Sequence, residues 1–198
     1  MKIKEFTIFV VDDSPVALDI ITRAIRQTIY CNVKGFTSAE DCLYGMENGL
    51  PDLILSDYYL DALYERKING DQMLSRIKKA YPGIPVIMYS SQNSIDVMLR
   101  LMKLGAVDFI PKEKDFLKTI SSITNSQINK IKKDYENSWI TRVVLFMIAA
   151  FTGLIIIVHI YSPDSVIYTI IGIMLFLCIV VFVTSKKATS HRSYGDLN

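Results

Sequence analysis

Residues 1–125 predict an α/β fold, a doubly wound parallel sheet of five strands, and residues 140–184 predict a transmembrane helical hairpin. Three observations carry this reading. Five short apolar runs alternate with amphipathic segments, the pattern of βα units whose right-handed crossovers place helices on both faces of a parallel sheet. Aspartates, a serine and a lysine stand where those runs end. Two stretches of about twenty residues near the C-terminus are apolar on every face, unlike the one-sided stripe of a soluble helix.

Composition bounds the alternatives. The chain has 198 residues and a formal charge of +2, yet its mean hydropathy of +0.28 is high for a soluble protein. The excess is local, since Ile140 to Thr184 holds only Arg142, His159 and Asp164 as charged or histidine side chains. Ahead of that stretch stand 139 residues, enough to bury a core. Lysines and arginines are dispersed, so no nucleic-acid partner is expected, because phosphate binding needs a concentrated basic face. Cys31, Cys42 and Cys178 lack metal-ligand spacing and read as buried thiols in a reducing compartment.

In chain order, Phe6 to Val11 is the first strand. The start "MKIKEFTIFVV" has the charge of a signal peptide, but Asp12 and Asp13 cut its apolar run short. Ser14 and Pro15 suit a helix start, and Val16, Ile20, Ile21, Ala24, Ile25 and Thr28 form its stripe. Cys31 to Phe36 is the second strand, and Ser38 with Asp41 opens the second helix. Leu53 to Ser56 is the third strand; Met73, Leu74, Ile77 and Ala80 share one face of the third helix. Ile84 to Tyr89 and Ala106 to Ile110 are the last strands, flanking a fourth helix from Ile95 to Leu104. The fifth helix begins near Lys114 and runs through Phe116, Ile120, Ile123, Ile131 and Tyr135.

In such sheets ligands bind beyond the carboxyl ends of the strands, where the strand order reverses. That rule gathers Asp12 and Asp13 from strand one, Asp57 from strand three, Ser90 from strand four and Lys112 from strand five. Three converging carboxylates repel one another unless a positive charge sits among them. A hard divalent cation resolves the repulsion, and Mg²⁺ best suits a small oxygen site that keeps several waters. One carboxylate can then attack a phosphoryl group, with metal and the Lys112 ammonium neutralising the transferring oxygens and the Ser90 hydroxyl donating to one of them.

The pieces "VVDDSP", "LILSDYYL", "PVIMYSS" and "LGAVDFIPK", in this order, resemble the receiver domain of two-component response regulators over about residues 4 to 125. The resemblance implies a flavodoxin-like (βα)5 fold with strand order 2-1-3-4-5. It implies that Asp57 is the phosphoacceptor, that Asp12, Asp13, Asp57 and the main-chain carbonyl of Tyr59 hold Mg²⁺, and that Ser90 and Lys112 contact the phosphoryl group. Ser90 and Phe109 become the switch pair, and Tyr59 and Gln92 fall at positions that tune phosphoryl lifetime. The chain departs from the family pattern in two places. "YYLDALYERKINGD" has no proline, and Gly70 comes thirteen residues after Asp57, which reads as about five extra residues within the loop 61–69. Pro111 precedes Lys112, where the family commonly has proline after the lysine in a cis peptide.

The expected domains are a receiver domain (1–125), a linker helix (126–139), the hairpin (140–184, spans 140–161 and 166–184) and a disordered cytoplasmic tail (185–198). Each span is long enough for a hydrocarbon core of roughly 30 Å, and "SPDS" between them allows only a tight turn. Lys130, Lys132 and Lys133 before the first span, with Lys186, Lys187 and Arg192 after the second, place both termini in the cytoplasm of a multi-pass inner-membrane protein. Trp139, Tyr161 and Tyr168 lie near the expected interfaces with the lipid bilayer.

The function expected is that of a membrane-anchored response regulator. A histidine kinase or phosphotransfer protein phosphorylates Asp57, and output passes by interaction, through a homodimer or through a membrane or cytoplasmic target. The chain is expected to catalyse only its own aspartyl phosphorylation and dephosphorylation. The alternative is a membrane-tethered scaffold or phosphate sink without switching. A phosphatase of the haloacid dehalogenase type is disfavoured, because that family separates its two strand-one aspartates by one residue.

Overall fold

The computed structural model describes residues 5–60, 68–92, 94–161, 172–174 and 176. Expectations for most of the inserted loop, most of the second span, the "SPDS" turn, Cys178 and the tail fall outside the described residues. The chain divides into two units, Met1–Lys133 and Asp134–Asn198.

In the first unit, βα alternation gives β1 (Thr7–Val11), α1 (Pro15–Thr28), β2 (Asn32–Phe36), α2 (Ala39–Glu47), β3 (Leu53–Asp57), α3 (Gly70–Ala80), β4 (Val86–Ser90), α4 (Ile95–Lys103), β5 (Asp108–Pro111) and the start of α5 (Phe116–Tyr161). The five strands form one sheet in the order β2-β1-β3-β4-β5, every pairing parallel, as the sequence led us to expect. Ser14 caps α1 by accepting from the Ala17 amide, ahead of Pro15 at the first turn. Ser38 accepts from the Asp41 amide and donates to the Asp41 carboxylate, closing a reciprocal cap on α2.

The central strands β3 and β4 are buried throughout, because helices cover both sheet faces. On one face α2, α3 and α4 bring Cys42, Met46, Met73, Leu74, Ile77 and Leu101 onto Phe9, Ile54 and Met88. On the other, α1 and α5 bring Ile21, Ile25, Ile120 and Ile128 onto Ile8, Leu55 and Tyr89. Each such side chain contributes roughly 1.5–3 kcal/mol by leaving water.

Several positions differ from the sequence expectation. Val16 and Ile20 are 68% and 44% exposed, and α1 packs through Ile21 and Ile25 instead. At 100° per residue Val16 and Ile20 lie on the side of α1 turned away from Ile21 and Ile25. Ala80 is exposed at the last turn of α3, Tyr135 is exposed, and Cys31 is only half-buried. No cis peptide occurs among the described residues.

In the second unit α5 continues as helix to Tyr161. Its side chains Leu145, Phe146, Leu154, Ile156 and Ile157 are exposed, and Phe151 stacks on Phe176 with ring centroids 4.5 Å apart. Among the described residues one helix is long and apolar enough to cross a membrane, through an unburied stretch of mean hydropathy 2.4.

Burial pushes the Cys42 thiol from 9.0 up to about 12. The folded chain therefore keeps a proton that the unfolded chain loses above 9.0, so stability falls as pH rises through this window. Urea denaturation of the Cys42→Ala variant should show a shallower loss between about pH 9 and pH 11 than the parent chain. Iodoacetamide at pH 8 should leave Cys42 unmodified until the protein unfolds.

Candidate functional site

Strand register assembles the site. Val11, the last residue of β1, lies opposite Phe36 of β2 and Ser56 of β3. Asp12 and Asp13 therefore leave the sheet beside Asp57, which lies opposite Tyr89 of β4. Ser90 lies opposite Pro111, so Lys112 emerges at the same edge. Proline has no amide hydrogen to give to a ladder, and its place on an edge strand tolerates this. The next amide, of Lys112, donates to the Ser90 carbonyl at 2.7 Å and holds the lysine at the strand end.

One carboxylate oxygen from each of Asp12, Asp13 and Asp57 lies within 4.8 Å of the other two. Asp12 is fully buried and Asp57 nearly so. Lys112 Nζ donates to Asp57 Oδ2 at 2.5 Å and to Asp12 Oδ2 at 3.1 Å. The second oxygen of Asp57 accepts from the Tyr59 amide at 3.2 Å, and Asp12 Oδ1 accepts from the Ser14 amide at 3.0 Å. Burial raises the Asp57 pKa above the ordinary carboxylate value and Asp12 adds to the rise, while Lys112 works against both. Burial alone would lower the Lys112 pKa, but Asp57 and Asp12 outweigh it and leave the ammonium harder to deprotonate.

One lysine against three carboxylates leaves an excess of negative charge among hard oxygen donors, which is what a small divalent cation such as Mg²⁺ requires. Among the described residues this acidic cluster is the candidate cation site. Ser90 is buried, with its Oγ accepting from the Gln92 amide at 3.1 Å. Phe109 is half-buried against the α2–α3–α4 face of the core. The Tyr59 hydroxyl donates to Gln92 Oε1, so these two residues touch each other across the loops after β3 and β4.

Two further residues shape the site: Tyr89, which was not singled out from sequence, and Gly70, which was noted there only for its spacing from Asp57. Tyr89 is fully buried, donates its hydroxyl to the Val11 carbonyl at 2.9 Å, and lies with its ring centroid 5.0 Å from Lys112 Nζ. Its phenol is held well above the ordinary value by burial and by the neighbouring aspartates. The signal was a tyrosine inside an apolar run, since a buried hydroxyl needs a partner. Gly70 is the second. A Cβ there would lie 2.6 Å from the Asp57 carbonyl oxygen and 2.7 Å from that of Tyr58, both immovable backbone atoms. Only glycine allows α3 to start against the backbone that follows Asp57, where the Gly70 amide donates to the Tyr58 carbonyl.

Gly70→Ala should cost about 1–3 kcal/mol by forcing that backbone apart. Urea denaturation measures the loss, and hydrogen exchange should locate the loosening at β3 and the first turn of α3.

Residues 8–124 match the response regulator receiver domain family. The chain is 30% identical over 135 residues to the DNA-binding transcriptional regulator NtrC of Proteus hauseri, covering 66% of this chain and 27% of that one. It is 34% identical over 117 residues to protein-glutamate methylesterase/protein-glutamine glutaminase 2 of Vibrio vulnificus, covering 57% and 32%. The chain thus spans about a quarter to a third of these curated relatives. Among solved structures, the CheY-like receiver domain protein of Methanospirillum hungatei superposes with a TM-score of 0.57 at 23% identity over 66% of this chain and 99% of that one. NtrX of Brucella abortus superposes with a TM-score of 0.60 at 24% identity, over 68% and 30%. These two likenesses concern the fold.

Proposed function

The chain belongs to the response regulator receiver domain family, and from that premise we propose that it is a membrane-anchored response regulator that takes a phosphoryl group onto Asp57 and signals through protein–protein interaction. The observation that carries the proposal is the placing of Asp57: nearly buried at the end of a central strand, within an acidic cluster and paired with Lys112.

In the transfer, a histidine kinase or phosphotransfer protein presents a phosphohistidine. The phosphorus–nitrogen bond breaks as a carboxylate oxygen of Asp57 forms the new phosphorus–oxygen bond. Asp12, Asp13 and Asp57, with the Tyr59 carbonyl, are the residues to hold Mg²⁺, which when bound supplies charge neutralisation to the transferring oxygens. Lys112, already on Asp57, follows the charge outward to a phosphoryl oxygen, and Ser90 offers its hydroxyl to another. Burial keeps the carboxylate poorly solvated and therefore ready to attack. Phe109, half-buried beside the core, is the ring that turns inward with Ser90 to carry the change to the surface.

Anchoring by the spans 140–161 and 166–184 is supported by the outward-facing apolar side chains of α5 and by the stack of Phe151 on Phe176. The basic flanks of both spans favour a cytoplasmic receiver at the inner membrane, within reach of a cytoplasmic kinase.

Acetyl phosphate with Mg²⁺ should label the full chain, Asp57→Asn should abolish the label, and Asp13→Asn should raise the Mg²⁺ concentration needed by tenfold or more. Label persisting in Asp57→Asn would remove Asp57 from the reaction. Protease added to intact spheroplasts should leave the receiver undigested, whereas inverted vesicles should expose it to cleavage.

A further inference from the structure

Of α1 to α4, α4 has the fewest buried residues. Leu101 alone is buried and Val97 is half-buried, whereas α3 buries Gly70, Met73, Leu74 and Ile77. Ser94 at the start of α4 makes no side-chain cap. A polar tie supplements this light packing. Arg100 of α4 donates through Nη2 to the Tyr58 hydroxyl, stands 3.5 Å from Asp71 Oδ2 in the first turn of α3, and centres its guanidinium 5.5 Å from the Tyr58 ring. Tyr58 follows Asp57 directly. Its amide donates to the Tyr89 carbonyl at 2.8 Å, and its carbonyl accepts from Gly70 at 3.2 Å. The tie from α4 therefore ends one peptide from the phosphoacceptor.

We propose that Arg100 acts as a latch, holding α4 through Tyr58 and Asp71 in the position that accompanies the internally paired state of Asp57. In that state both carboxylate oxygens of Asp57 are taken by protein donors, the Tyr59 amide and Lys112 Nζ. A phosphoryl group claims one of those oxygens and draws Lys112 outward. The segment from Asp57 to Tyr59 must then readjust, with Tyr58 in its middle. Whatever holds Tyr58 to Arg100 opposes that readjustment, and reciprocity requires that phosphorylation weaken the latch by the same factor. Arg100 is about half exposed, so water screens the pair and limits the coupling to about fivefold. The inference rests on Asp57 being the phosphoacceptor.

Beryllofluoride, a phosphoryl mimic, separates the two claims when titrated with Mg²⁺ into the full chain in detergent. Binding by the parent chain and its loss in Asp57→Asn test the phosphoacceptor alone. Given that binding, Arg100→Gln and Tyr58→Phe should each tighten it about threefold to fivefold. Combining them should tighten it no further than one does. Unchanged or weaker affinity in either single variant overturns the latch, as do gains that multiply in the double variant. A purely structural role for Arg100 would lower the unfolding temperature and leave affinity unmoved, and that result also overturns it. Tyr58→Phe keeps the ring and its packing, so it tests the hydroxyl in a folded protein.

Discussion

The ammonium of Lys112, held between Asp57 and Asp12, is the contact on which the site depends. Three carboxylates drawn together at the end of a parallel sheet repel one another, and burying two of them, Asp12 and Asp57, removes water that would screen the repulsion. Strand pairing alone cannot hold such a cluster together. The lysine offsets part of the charge, and it can do so because the sheet carries its backbone one residue past Pro111 to the Ser90 carbonyl. The hydrophobic effect builds the sheet, and the sheet in turn imposes the electrostatic conflict at its edge. The conflict makes the site receptive to a cation and to phosphoryl oxygens, because a group that completes the charge balance is bound more strongly than it would be on a neutral surface.

The features legible in the sequence were those set by short-range periodicity and by topology. Alternating runs mark the five strands within a residue or two, and the rule that ligands gather beyond strand ends brings Asp12, Asp13, Asp57 and Lys112 together from sequence alone. The helix faces were less legible where apolar residues stood on both sides of one helix. Val16 and Ile20 look like core in a list of apolar residues, but they lie on the face of α1 turned away from Ile21 and Ile25. Periodicity counts residues, whereas burial depends on where the neighbouring layer stops.

Contacts between distant segments were illegible for a different reason. Nothing in the sequence links Arg100 to Tyr58, or the Tyr89 hydroxyl to the Val11 carbonyl, because each pair is joined only once the sheet order is built. Glu40 on α2 accepts from the Ile68 amide in the same way, pinning the approach to α3 from across the fold. Such side chains sit at the interfaces between layers, where residue identity says what a group can do and tertiary structure decides whom it meets.

The close approach at Gly70 bears on how this architecture tolerates change. Because the glycine packs directly on the carbonyls of Asp57 and Tyr58, the point where the chain rejoins the body is fixed by a steric key and not by the length of the path that reaches it. Insertions or deletions upstream of Asn69 can accumulate while the Asp57 carboxylate keeps its position, since lengthening a loop adds little closure entropy. Diversification can then proceed beside the acidic cluster, with the cluster and the loop next to it evolving as separable traits.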